Sequence, residues 1–64
     1  DVLNLSFDQE INNVSVMNLL GQQVISQTLN AKQGKIDMSY LSVGTYLVKV
    51  TSGDQTKTIK VLKK

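Results

Sequence analysis

Apolar and polar residues alternate along most of this chain with the period of two that is typical of β-strands. The alternation is clearest late in the sequence, where Tyr46, Val48 and Val50 fall on one side of a strand and Lys49 falls on the other. No convincing helical segment is left over. The pattern predicts six strands: Val2 to Phe7, Asn13 to Leu19, Gln23 to Thr28, Lys35 to Ser39, Thr45 to Thr51 and Thr56 to Leu62.

Turn-forming residues separate the predicted strands at short intervals. They are the segment at residues 8–13 with its Asn-Asn pair, the Leu-Gly pair at 20–21, the Gln-Gly pair at 33–34 and Ser-Gly-Asp at 52–54. Short strands with such spacing are typical of immunoglobulin-like sandwiches, which contain about seven. We therefore expect residues 1–64 to form a single all-β domain, an immunoglobulin-like antiparallel sandwich of about six to seven short strands.

The stretch LSVGTYLVKV breaks the alternation with Gly44 and places Tyr46 two residues later. In immunoglobulin-like sandwiches, a tyrosine near the start of a late strand folds back and donates a hydrogen bond to the preceding backbone, which is called a tyrosine corner. A glycine suits this position because the chain must turn sharply there, with a positive φ if needed. We expect Tyr46 to form such a corner and Leu41 to pack into the core.

Composition narrows the possible functions. The chain has 64 residues, of which 41% are hydrophobic and 19% are charged, and it contains neither cysteine nor histidine. Without those side chains a serine nucleophile lacks its usual activating partner, so we expect no enzyme activity and no cofactor. Calcium binding by Asp8, Asp37 and Asp54 lacks the required ligand spacing, so we expect no metal site.

Charge is distributed unevenly along the chain. Residues 1–43 contain four acidic residues and two lysines, whereas residues 44–64 contain five lysines and one aspartate. The net charge is only +2 and the lysines have no aromatic neighbours in the sequence, so nucleic acid binding is not expected. The basic final third suits steering toward an acidic protein surface.

The order of these segments resembles a known family over nearly the whole chain. VSVMNLLGQQV, IDMSYLSVGTYLVKV and the lysine-rich last strand resemble the C-terminal sorting domain, type A, of the type IX (Por) secretion system. The sequence features shared with the family are a Leu-Gly turn, the Leu-x-x-Gly-x-Tyr stretch, a Val-Lys-Val strand, a hairpin that contains glycine and a basic C-terminal strand. The matching candidate recognition residues are Gly21, Leu41, Gly44, Tyr46, Lys49, Gly53, Lys60, Lys63 and Lys64.

The resemblance implies a sorting signal, not an enzyme. Such domains are covalently part of an exported cargo protein of a Gram-negative bacterium, cross the periplasm, and direct the cargo through the outer-membrane type IX translocon to the cell surface or the medium. A sortase-like peptidase usually removes them. The implied partners are therefore the cargo, translocon components and that peptidase.

Two departures from the family pattern affect these expectations. The family strand before the Leu-Gly turn usually carries an aromatic residue, where this chain has Met17, a side chain that also fills irregular core gaps. The family usually opens with Pro-Asn-Pro and a further extended segment, and this chain has no proline. With that opening segment missing, we expect an unprotected sheet edge and a homodimer paired through it.

The competing interpretation is a fibronectin-like or carbohydrate-binding sandwich that acts as a spacer or adhesion module. Fold alone does not separate these classes, because function depends on sites. Sugar-binding platforms use exposed aromatic side chains, and this chain has only Phe7, Tyr40 and Tyr46. Position in the parent protein discriminates between the two, since a sorting domain must end the protein and a spacer need not.

Overall fold

The computed structural model describes residues 2–64, which form one antiparallel sheet. Its four strands are β1 (Val2–Met17), β2 (Gln23–Asp37), β3 (Gly44–Ser52) and β4 (Gln55–Lys63). Their spatial order is β2-β1-β3-β4, so β1 and β3 are central and β2 and β4 are edge strands. The all-β prediction is confirmed. No helix within residues 2–64 is long and apolar enough to cross a membrane.

The strand count differs from the six predicted. The first two predicted strands are one continuous strand, β1, and the next two are one continuous strand, β2. The segment at 8–13 and the Gln-Gly pair at 33–34 were predicted to be turns, yet both lie inside strands. Polar side chains can occupy a strand where it bends into solvent, because an extended backbone with a bulge needs no chain reversal.

The bends curl the β1-β2 hairpin. A straight strand of the length of β1 would span about 50 Å, whereas the longest dimension of the molecule is 30 Å. The pairing of β1 with β2 shifts register between Ser6 and Ile11 and again between Ile11 and Asn13. Bulges of this kind bend a strand and increase its twist. As a result, the N-terminal half of β1 (Val2–Phe7) faces the β3-β4 hairpin across the core.

Gly34 lies in the part of β2 that pairs with the N-terminal half of β1. It lies opposite Leu5 of β1, and the Leu29 side chain of its own strand folds over it. A Cβ atom at Gly34 would lie 2.5 Å from Leu29 Cδ2, which is a severe overlap. A larger residue at position 34 would force the Leu29 side chain to move, so the glycine serves close approach within the bend and does not form a turn.

The core lies inside the curl. Both halves of β1 contribute to it, as do the end of β2 and alternate residues of β3. This explains why residues far apart on one strand share one cluster. The buried apolar side chains are Leu5, Ile11, Val14, Val16, Ile36, Met38, Tyr46, Val48 and Val50.

Candidate recognition surface

Tyr46 forms the predicted corner. Its side chain is buried, and its Oη atom donates a 2.7 Å hydrogen bond to the backbone carbonyl of Ser42, four residues earlier. Leu41 packs against the core, and its N–H donates to the Met38 carbonyl. The corner therefore fixes the loop between β2 and β3, which carries the exposed side chains of Tyr40 and Val43.

Gly44 begins β3 directly after this loop. Its φ of +153° lies in a region that side-chain-bearing residues rarely adopt, and open space surrounds the position of its missing Cβ. Backbone conformation is therefore the reason for glycine here, as the sequence suggested. The part of LSVGTYLVKV that breaks the alternation is therefore the tyrosine corner followed by the start of β3.

Asn18 organises the Leu-Gly turn, a role that the strand prediction missed by extending its second strand to Leu19. The Asn18 Oδ1 atom accepts hydrogen bonds from the N–H groups of Leu20 and Gln22, each at 3.0 Å. Gly21 completes the turn with a φ of +85°. An asparagine two positions before the Leu-Gly pair was the available signal, because its side chain readily accepts hydrogen bonds from nearby backbone N–H groups.

The β3-β4 hairpin tip is tied to the bend of β1. Ser52 Oγ donates to the Glu10 carbonyl at 2.6 Å, and Gly53 N–H donates to Asn12 Oδ1 at 2.7 Å. Both bonds join residues about forty positions apart, and sequence reasoning did not find them. They place Gly53 in a structural contact at the end of the molecule opposite the Tyr46 corner.

Comparison with known proteins adds the decisive observation. The family model of the secretion system C-terminal sorting domain matches residues 1–64, the entire chain. Searches of the curated proteins and of the solved structures each found no match. The chain belongs to the type IX secretion C-terminal sorting domain family. This membership links it to a cargo protein and to the secretion machinery, and it implies export to the surface or exterior of a Gram-negative bacterium.

The lysines of the sorting domain do not form one cluster. Lys49 lies opposite Thr58 and Lys60 lies opposite Leu47, so both lysines lie on the outer face of the sheet, away from the core. Lys63 lies opposite Gly44, in line with the core-facing residues of β4, and is only partly exposed. Lys64 follows the end of β4 and is exposed.

The fold alters the titration of Asp37, the last residue of β2. Hydrogen bonds from the Ser39 side chain and from its backbone N–H hold the pKa of Asp37 below its ordinary value. The N–H of Ser39 lies 3.0 Å from Asp37 Oδ1. Asp37 is the last residue of β2, and its carboxylate holds the first residues of the loop that leads to the Tyr46 corner. Its role is therefore structural.

Proposed function

We propose that this domain directs a covalently attached cargo protein through the outer-membrane type IX translocon, after transit through the periplasm, and that a sortase-like peptidase then removes it. The observation that carries the proposal is the family match over the whole chain. The domain works by recognition and not by catalysis, which agrees with a composition that lacks histidine and cysteine.

The recognition elements in this proposal are the family positions carried by β3 and β4 and by the turns at Gly21 and Gly53. Lys49 and Lys60 on the outer face, with Lys63 and Lys64 at the basic end, steer the domain toward an acidic surface. An immunoglobulin-like sandwich is part of the same proposal. It is supported by the curl, which brings Val2–Phe7 opposite the β3-β4 hairpin.

A fusion experiment tests the sorting function. The domain is attached to the C terminus of a fluorescent cargo in a bacterium with a working type IX system, and the signal is measured in the medium, on the surface and in the periplasm. We expect export that disappears in a strain without the translocon. A parent fusion that stays in the periplasm, even with the family's opening segment added, would refute sorting.

The basic end is tested in the same assay by replacing Lys60, Lys63 and Lys64 with glutamine. We expect a folded domain whose cargo accumulates in the periplasm. The matched control replaces Lys32 and Lys35 of β2, which lie outside the family positions, and should be exported normally. Equal export of the triple variant and the parent would remove the lysines from the recognition surface while leaving sorting intact.

Self-association through an exposed edge strand is also part of the proposal. The outer edge of β2 between Gln23 and Thr28 carries no charge, proline or glycine, which are the usual features that block pairing with another copy. The β4 edge, by contrast, carries lysines. We expect dimers paired through β2 at millimolar concentration. Light scattering that reports only monomer at that concentration would contradict this.

A further inference from the structure

One side of the curled sheet is open. The N-terminal half of β1 pairs with β2 along one edge, and no strand within residues 2–64 lies along its other edge. β4 pairs with β3 along one edge, and no strand of the described residues lies along the second edge of residues 55–62. The two free edges border the same gap, which we call the open seam. The outer edge of β2 differs from these two edges, because a hydrogen bond from Gln27 Nε2 to the Lys35 carbonyl spans its curl.

The core is incompletely covered at the open seam. Ile59 lies directly opposite Val48 and faces the same way, yet Ile59 is 39% exposed while Val48 is 0% exposed. Val61, opposite the buried Tyr46, is only partly covered. Leu3 and Phe7 on the β1 side are also only partly buried. Apolar side chains on both borders of the seam therefore face the core without a strand to cover them.

The two ends of the seam are cationic. One end is lined by Val2, Leu3, Met38, Val61, Leu62 and Lys63. The other is lined by Phe7, Val50, Gln55, Thr56 and Lys57, with Lys57 Nζ 5.8 Å from the centroid of the Phe7 ring. Among residues 2–64, lysines are the only charged side chains in these two linings. The seam is thus apolar along its length and attracts negative charge at its ends.

We propose that the open seam binds an extended polypeptide segment as an additional strand, with apolar side chains at alternate positions and acidic residues at its ends. Backbone N–H and C=O groups along the free edge of Val2–Phe7 supply the hydrogen bonds of strand addition. Alternate side chains of the segment cover Ile59 and Val61, because side chains of a strand point to opposite faces in turn. The free edge spans about 20 Å, which fits about six or seven residues.

Charge favours an acidic segment over a strand of a second copy of this domain. Docking of a second β4 would place Lys57 of both copies on the same face of the joined sheet. The Gln23–Thr28 edge of a second copy has no acidic side chain to meet Lys57. Like charges placed opposite each other on adjacent strands are destabilising. Edge lysines commonly block self-pairing in this way. An acidic segment converts that repulsion into attraction.

A synthetic heptapeptide tests the proposal. Its sequence is Glu-Thr-Val-Thr-Val-Thr-Glu with blocked termini, so that both glutamates lie on the same face as the valines, and it is titrated into the isotope-labelled domain at a concentration where light scattering shows monomer. We expect saturable shifts of backbone amide NMR signals at Val2–Phe7 and along β4, with little change at Gln23–Thr28 on the outer edge of β2. Absence of binding at millimolar peptide, or shifts confined to β2, would overturn the proposal.

Three control peptides separate the contributions. A version with N-methyl groups on the edge that pairs with β1 keeps every side chain but loses those N–H donors, and we expect at least tenfold weaker binding. A scrambled version that loses the alternation and a version with lysine in place of both glutamates should also bind at least tenfold more weakly. Equal binding of the N-methylated peptide would refute strand addition and leave only a side-chain contact.

Paired protein variants locate the site. Ile59→Glu places a negative charge inside the seam, whereas Thr58→Glu places the same charge on the outer face of the same strand. We expect at least tenfold weaker binding for Ile59→Glu and unchanged binding for Thr58→Glu, with amide spectra confirming that both are folded. Equal affinities of the two variants would overturn the assignment. If Ile59→Glu does not fold, Lys57→Gln compared with Lys49→Gln replaces it, and only the former should weaken binding.

Discussion

β3 and β4 are two strands of equal length in one hairpin, yet only β3 has a buried inward face. The inward residues of β3 are Tyr46, Val48 and Val50, and each is at most 7% exposed. Their partners on β4 include Ile59, which is 39% exposed, and Lys57, which is exposed. Both strands alternate apolar and polar residues, so the difference does not come from local pattern.

Position in the sheet accounts for the difference. β3 has β1 on one side and β4 on the other, and Leu5 and Ile36 from the curled hairpin pack into the same core as Val48. β4 is an edge strand, and the curled hairpin leaves its inward side partly uncovered. The comparison teaches that burial is concentrated in the two central strands, β1 and β3, while the inward side of β4 stays partly uncovered.

The largest expected effect comes from making the same substitution on both strands. Val48→Ala removes two buried methyl groups and should lower the free energy of unfolding by about 2 kcal/mol. Val61→Ala removes the same groups from a partly covered position and should cost about 1 kcal/mol or less. Urea denaturation measures both. Equal costs would show that β4 is as well buried as β3 in solution.

A second pair of substitutions compares the two strands at the tip of the β3-β4 hairpin. Ser52 of β3 is buried and donates to the Glu10 carbonyl, whereas its partner Gln55 on β4 is exposed. Ser52→Ala should cost about 1.5 kcal/mol, because it leaves that carbonyl without its partner. Gln55→Ala should change stability by less than about 0.5 kcal/mol. Thermal unfolding distinguishes them, and a silent Ser52→Ala would mean that the tip is not anchored to β1.

The tyrosine corner gives the next smaller effect. Tyr46→Phe keeps the buried ring but removes the hydrogen bond to the Ser42 carbonyl, and it should cost about 1 kcal/mol. Tyr40→Phe is the control, since Tyr40 is 70% exposed and should be neutral. Chemical denaturation compares the two. A Tyr46→Phe variant as stable as the parent would exclude a stabilising role for the corner bond.

The smallest expected effect concerns the outer face. Lys49→Gln on β3 and Lys60→Gln on β4 should each change stability by no more than about 0.5 kcal/mol, because both side chains reach solvent. The two strands should show equally small changes in stability here, so the difference in burial between β3 and β4 is confined to their inward faces. A loss above about 1 kcal/mol for either variant would reveal a structural role for that lysine and would complicate its use in the export assay.

Much of the local structure was predictable. The period of two identified all-β structure and the inward residues of β3 and β4, the Leu-Gly and Ser-Gly-Asp turns occur where expected, and Tyr46 forms its corner. The ordered motifs also identified the family, which the match over the entire chain confirms. These features depend on residues close together in sequence, where side-chain alternation and turn preferences act directly.

Tertiary structure decided the rest. Whether residues 8–13 reverse the chain or only bend it depends on β2 continuing beside them, and alternation looks the same in both cases. Gly34 resembles a turn residue until Leu29 is seen folded over it. The Asn12 to Gly53 bond, the exposure of Ile59 and the open seam all depend on which strands become neighbours. Sequence alone determined which side chains of β3 and β4 face inward, while the curl of the sheet decided which of them are covered, because burial requires partners that are distant along the chain.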